Sequence, residues 1–134
     1  MCSFLIKKAP IYIRLDESKI SEESMISNFS KINIELSRQS KFKNFFKVIK
    51  GKEKIFETEI FKDGKISIQD PASGAVVDLI NPKKNDIILD ACAAPGTKSL
   101  YMAQRVGLGG KIYASDKNKK RVDRGILDLS LIHI

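Results

Sequence analysis

A short apolar run, Asp86-Ile87-Ile88-Leu89-Asp90, is followed at once by the small-residue stretch Ala91-Cys92-Ala93-Ala94-Pro95-Gly96. An apolar run of this length, bounded by turn formers, is the pattern of a buried parallel strand. The residues after it predict a helix over 98–106, which Gly107-Leu108-Gly109-Gly110 ends. Residues 111–115 predict the next strand, and a further helix is expected after Asp116. Strand, tight turn, helix, strand is a crossover unit, and it opens a doubly wound α/β sheet. Ahead of it, Asp70 as N-cap and Pro71 at the first helical position predict a helix over 71–80. Ala75, Val76, Leu79 and Ile80 are its expected apolar stripe.

The first part of the chain has a different rhythm. Ile11-Tyr12-Ile13-Arg14-Leu15 alternates as a strand does, and Ser21 is a helix N-cap ahead of Met25, Ile26 and Phe29 at helical spacing. Further strands are expected around 32–36, 45–49 and 55–61, which makes a small α+β module. The turn signal Asp63-Gly64 sets the join, giving residues 1–63 as one unit and 64–134 as the other.

Charge points to a polyanionic partner. The 24 basic and 16 acidic side chains leave a net charge of +8, and such an excess favours encounter with phosphate. Between Arg38 and Lys54 lie Lys41, Lys43, Lys47, Lys50 and Lys52 with Glu53 the lone acid, and Phe42, Phe45 and Phe46 are interleaved. Those aromatics either stack on bases or fill the core, and burial is the commoner fate of phenylalanine. The lysines suit RNA phosphates in either case. No apolar run is long enough to cross a bilayer, and the first six residues are too short for a signal-peptide core. A cytoplasmic location is therefore expected. Cys2 and Cys92 are far apart, and a single histidine, His133, offers no zinc constellation, so no metal is expected.

The small-residue turn is where a ligand would sit. Small side chains allow close approach to backbone, Gly96 reaches dihedrals that other residues resist, and a helix start presents unpaired N–H groups. Asp116, twenty residues beyond Gly96 at the end of the next strand, is placed to accept hydrogen bonds from ribose hydroxyls. These features indicate a cofactor that contains a nucleoside. A dinucleotide fingerprint is excluded because the turn has one glycine. A phosphate loop is excluded because Thr97 separates Gly96 from Lys98 and position 91 is alanine.

Asp90-Ala91-Cys92-Ala93-Ala94-Pro95-Gly96-Thr97-Lys98 closely resembles the first cofactor motif of the RNA cytosine-5 methyltransferases of the Sun/Fmu and nucleolar-protein type. Ile68-Gln69-Asp70-Pro71-Ala72-Ser73 resembles the lead-in to that family's catalytic domain, and Tyr113-Ala114-Ser115-Asp116 its ribose-binding strand. Pro10-Ile11-Tyr12-Ile13-Arg14-Leu15 is similar, less specifically, to the strand that opens its small RNA-binding domain. The resemblance implies a Rossmann-like methyltransferase domain, begun here and preceded by an α+β RNA-binding module. It implies S-adenosylmethionine as cofactor, lined by Cys92, Ala93, Ala94, Pro95, Gly96, Thr97 and Lys98, with Asp116 on the ribose and Asp90 either orienting the turn or reaching the cofactor's amino group through water. Thr97 stands where the family usually has a second glycine, and its β-branch narrows the allowed backbone.

The implied reaction makes 5-methylcytosine in rRNA or tRNA through a cysteine thiolate. The family's catalytic cysteines stand in Pro-Cys and Thr-Cys contexts, and neither occurs here, so Cys92 is assigned to the cofactor turn and no catalytic residue is assigned. The resemblance is to a seven-stranded fold, of which about two strands fit between Asp86 and Ile134. The expectation is a fragment that stops before its catalytic cysteines, inactive alone, from a protein that is monomeric when full length. The alternative is a non-catalytic RNA-binding or ribosome-assembly factor with a methyltransferase-like fold. A methyltransferase of small molecules fits the basic N-terminal part less well.

Overall fold

The computed structural model describes residues 9–118. The helix expected after Asp116, the tail containing His133, and Cys2 lie outside the described residues. The chain opens with strand β1 (Tyr12–Leu15) and helix α1 (Glu22–Lys31). Ser21 caps α1, its Oγ accepting from the Ser24 amide at 3.2 Å. Glu22 and Glu23 in the first turn and Lys31 in the last complement the helix dipole. Strands β2 (Glu35–Arg38) and β3 (Phe45–Lys50) follow. A 3₁₀ helix (Lys52–Glu57), α2 (Glu59–Lys62) and β4 (Ile66–Ile68) complete the first sheet. Its strand order is β2-β3-β1-β4 and every neighbouring pair is antiparallel. This is a βαββαβ module of ferredoxin-like type.

The two faces of this sheet have separate fates. Ile13, Leu15, Phe46 and Val48 point to Met25 and Phe29 of α1 and to Ile55 and Ile60, forming one continuous core. Phe45, next to Phe46, points the opposite way and is also fully buried. Neither ring is available to stack on a base, and the partly buried Phe42 packs edge-on against Phe45 at 6.3 Å.

Three local expectations differ from the structure. The strand expected over 55–61 is helical, because Thr58 caps α2 through its Oγ1 (Phe61 amide, 3.2 Å) and buries Ile55 and Ile60 while Phe56 stays exposed. That five-residue spacing is not a strand's alternation. Of residues 32–36, the first two close α1, with Ile32 donating to the Phe29 carbonyl and Asn33 at φ 59°, so β2 begins only at Glu35. The Asp63-Gly64 turn does not separate two sheets. Gly64 (φ 61°) ends α2 and feeds β4, which pairs with β1, so the N-terminal sheet runs to Ile68.

The second part holds α3 (Pro71–Ile80), β5 (Ile87–Asp90), α4 (Thr97–Val106) and β6 (Lys111–Ala114). Asp70 caps α3 by accepting from the Ala72 amide at 2.8 Å, and Asn81 at φ 52° ends it. Strands β5 and β6 pair in parallel, from Ile87 opposite Lys111 to Asp90 opposite Ala114. Tyr101 and Met102 of α4 pack with Val77 of α3 and with Ile88 and Ile112 of the strands. The fold is thus mixed α/β, an antiparallel α+β module followed by a parallel βαβ unit. The expected burial of β5 holds for one face; Ile87 and Leu89, on the other, are 69% and 68% exposed among the described residues.

The apolar stripe expected on α3 is also corrected. Its buried face is Pro71, Gly74 and Val77, whereas Leu79 is 88% exposed and Val76 and Ile80 are exposed as well. The reason is Phe45, whose ring occupies the space beside Gly74. A Cβ at Gly74 would lie 2.1 Å from Phe45 Cζ. Because that ring is enclosed and cannot swing aside, overpacking outweighs the gain in helix propensity. Gly74→Ala is predicted to lower stability by about 1–3 kcal/mol, read from urea unfolding; a stabilised variant would contradict this packing.

Candidate functional site

Strand β5 ends in a carboxylate that organises the turn beyond it. Asp90, buried, accepts from Ser99 Oγ of α4 at 2.8 Å through Oδ2 and from the Cys92 amide at 3.3 Å through Oδ1. Its carbonyl accepts from the Ser115 amide at 2.8 Å, and the Ser115 carbonyl accepts from the Ala93 amide at 3.0 Å. The turn is therefore stitched to both strands. Within it the Ala94-Pro95 peptide is cis, and the Gly96 amide donates to the Ala93 carbonyl at 2.7 Å.

Gly96 is the N-cap of α4 at φ 109°, a left-handed conformation that a side chain would strain, and it brings no side-chain oxygen to the helix start. The first amides of α4 have no acceptor within the helix and face the turn. Lys98 reaches back over it, its Nζ donating to the Cys92 carbonyl at 2.9 Å. Asp116 closes the other side: Oδ2 accepts from the Ala94 amide at 3.1 Å and Oδ1 from the Asn118 amide at 2.8 Å.

The structure therefore brings together every residue that the sequence singled out at this position. Cys92 and Pro95 are exposed, Ala93, Ala94 and Gly96 are buried, and Thr97 and Lys98 lie between. Thr97 is the first residue of α4, where its β-branch needs only helical backbone. Ser99 is the member that sequence reasoning missed. A serine in the first turn of a helix carries no signal of a partner nine residues earlier in the chain. A wider groove of about 670 Å³ lies between α1 and the Lys52–Ile60 region. It shares no residue with the turn, and the α2 N-terminus that borders it is already capped by Thr58 Oγ1.

The fold is that of a mixed α/β protein similar to solved methyltransferase structures. Residues 77–130 match the family model described as 16S rRNA methyltransferase RsmB/F. Over 128 residues the chain is 31% identical to the probable ribosomal RNA small subunit methyltransferase B of Bacillus subtilis, covering 90% of this chain and 28% of that protein. Over 68 residues it is 37% identical to the mouse 28S rRNA (cytosine-C(5))-methyltransferase, covering 51% of this chain and 15% of that one. A methyltransferase homologue from Pyrococcus horikoshii superposes with a TM-score of 0.79 at 31% identity, covering 94% of this chain and 41% of that structure. The chain is similar to the RsmB/F-type RNA methyltransferases, in agreement with the resemblance carried by its small-residue turn. It spans about 28% of the length of the Bacillus relative.

The Asp90–Ser99 bond should be measurable. Ser99→Ala leaves a buried carboxylate oxygen without that donor and is predicted to cost about 1–3 kcal/mol, read from urea unfolding. An unchanged midpoint would mean that the bond does not hold the turn.

Proposed function

We propose that this chain supplies the S-adenosylmethionine-binding turn of an RNA cytosine-5 methyltransferase that acts on rRNA or tRNA. The observation that carries the reading is the placement of the Asp116 carboxylate, held against the Ala94 amide beside the N-terminus of α4. A nucleoside with an amino-acid tail fits such a site. Asp116 would accept from its ribose hydroxyls, and the amides at the start of α4 would meet its carboxylate. Ala91 and Cys92 are exposed, and their small side chains leave the turn open to close approach. Cys92 to Lys98 would line the cofactor, and Asp90 would hold the turn in shape. When bound, S-adenosylmethionine supplies an electrophilic methyl group. Cys92 belongs to this lining and is not proposed as the nucleophile.

The N-terminal module would carry the RNA, with the division between the two parts placed after Ile68 in keeping with the sheet. Its cations are accessible. Lys41 and Lys52 are exposed, while Arg38, Lys43 and Lys50 pair with Glu22, Glu17 and Glu35 at the surface. Exposed pairs of that kind contribute little and exchange readily for phosphates. Relatives named as acting on rRNA and tRNA support this substrate class.

Equilibrium dialysis against radiolabelled S-adenosylmethionine tests the reading. The wild-type protein should bind, and Asp116→Ala should weaken binding about 10-fold or more, as loss of hydrogen bonds to a charged acceptor does. Retention of RNA binding with no affinity for the cofactor would favour the non-catalytic RNA-binding or assembly factor instead.

A further inference from the structure

The face of the N-terminal sheet opposite α1 carries a buried cation. Arg14 of β1 is only 2% exposed, with its Nε donating to Gln69 Oε1 at 2.7 Å. Its guanidinium carbon lies 4.0 Å from the ring centroid of Tyr101 on α4. Tyr101 in turn donates its hydroxyl to Asp78 of α3 at 2.7 Å and accepts from Arg105 Nη2 at 2.8 Å, and Arg105 also pairs with Asp78. One continuous contact network therefore joins β1 and the residue following β4 to α3 and α4. Phe45, opposite Arg14 in the register, fills the space at Gly74 on the same face.

Stability is a poor explanation for this arginine. Burial pushes its pKa down to about 10 against the pull of Tyr101, Asp16 and Asp78, and it remains charged at neutral pH. Its Nη2 has no acceptor among the described residues. A buried ionic set can often be replaced as a whole by apolar side chains of similar volume without loss of stability, and Arg14→Met alone gives up one hydrogen bond, that to Gln69 Oε1. What an apolar side chain cannot reproduce is direction. The planar fork is fixed by Gln69 at one edge and stacks on an aromatic face, which sets the angle between sheet and helix. Tyr101 lies four residues, about one helical turn, beyond Thr97, where α4 leaves the cofactor turn.

We propose that Arg14 is a positioning residue: stacked on Tyr101 and held by Gln69, it fixes the N-terminal sheet against α4 and so sets how RNA held at the edges and loops of the N-terminal module faces the cofactor turn. The proposal rests on the methyltransferase reading above. It also assigns the face that open four-stranded sheets of this topology use for stacking bases to an intramolecular contact, leaving RNA to the edges and loops of the module.

The test measures geometry directly. Spin labels are placed on the exposed Cys92 and on the cysteine introduced by Ser37→Cys, in a Cys2→Ser background, and the interspin distance distribution is recorded by pulsed EPR. In Arg14→Met the distribution should roughly double in width, as the two parts gain the freedom usual between domains. The melting temperature should fall by no more than about 12 °C, the effect of leaving Gln69 Oε1 without its donor, and S-adenosylmethionine affinity, read on the unlabelled Arg14→Met protein with Cys92 free, should stay within about two-fold. Arg14→Lys, which keeps the charge and loses the fork, should behave as Arg14→Met does. An unchanged distribution in Arg14→Met overturns the proposal, as does a wild-type distribution in Arg14→Lys. Failure of Arg14→Met to fold overturns it too, since the role would then be structural. If the wild-type protein binds no cofactor, the methyltransferase reading fails, and the distance distribution still decides whether Arg14 orients the sheet.

Discussion

The carboxylate of Asp90 carries the geometry of the second half of this chain. One residue ends β5, accepts from the turn through Oδ1, accepts from α4 through Oδ2, and receives the Ser115 amide on its carbonyl. Burying a charge is costly, and hydrogen bonds to charged groups offset that cost by about 1.5–3 kcal/mol each. Both oxygens of Asp90 must be satisfied for the strand to end where it does. With both in use, the chain has little choice in how it turns, and the start of α4 is delivered beside the end of β6. Asp116 then falls within hydrogen-bond distance of Ala94, although twenty-two residues separate them in sequence.

A second constraint governs how the two parts meet. Phe45 and Phe46 are adjacent in β3 and both buried, so the sheet must be covered on both faces. Helix α1 covers one. Helix α3 covers the other, and only because Gly74 leaves room for a ring. The module is thereby built into the protein rather than hung from it, and Lys41 and Lys43 lie in its β2–β3 loop, Lys52 at the start of its 3₁₀ helix and Arg38 on its edge strand. The polar network through Arg14, Tyr101 and Asp78 sits beside this aromatic contact on the same interface.

What could be read from the sequence was what local chemistry decides. Ser21 and Asp70 announced their helices because a cap acts within three residues. The parallel pairing of β5 and β6 followed from a short apolar run, a tight turn and a helix, which leave few ways to connect. The turn was legible because its run of small residues between strand and helix, and the acid at the end of the next strand, form a local pattern. The failures share the opposite character. Residues 55–61 contain strand formers, but Thr58 caps a helix and the core takes Ile55 and Ile60. The apolar side of α3 was misplaced because Gly74, with no side chain to count, is the residue that Phe45 packs against. Ser99 and Arg14 carried no local signal at all, since each is defined by a partner in another element.

The central claim is that the turn from Ala91 to Ser99, closed by Asp116, is where S-adenosylmethionine binds. The most direct measurement is an NMR titration of the isotopically labelled protein, following backbone amides as the cofactor is added. The account predicts that the largest shifts fall on Cys92, Ala93, Ala94, Gly96, Thr97, Lys98 and Asp116, with the α1–α2 groove unmoved. Saturable shifts confined to that groove, or none at all at millimolar cofactor, would contradict it.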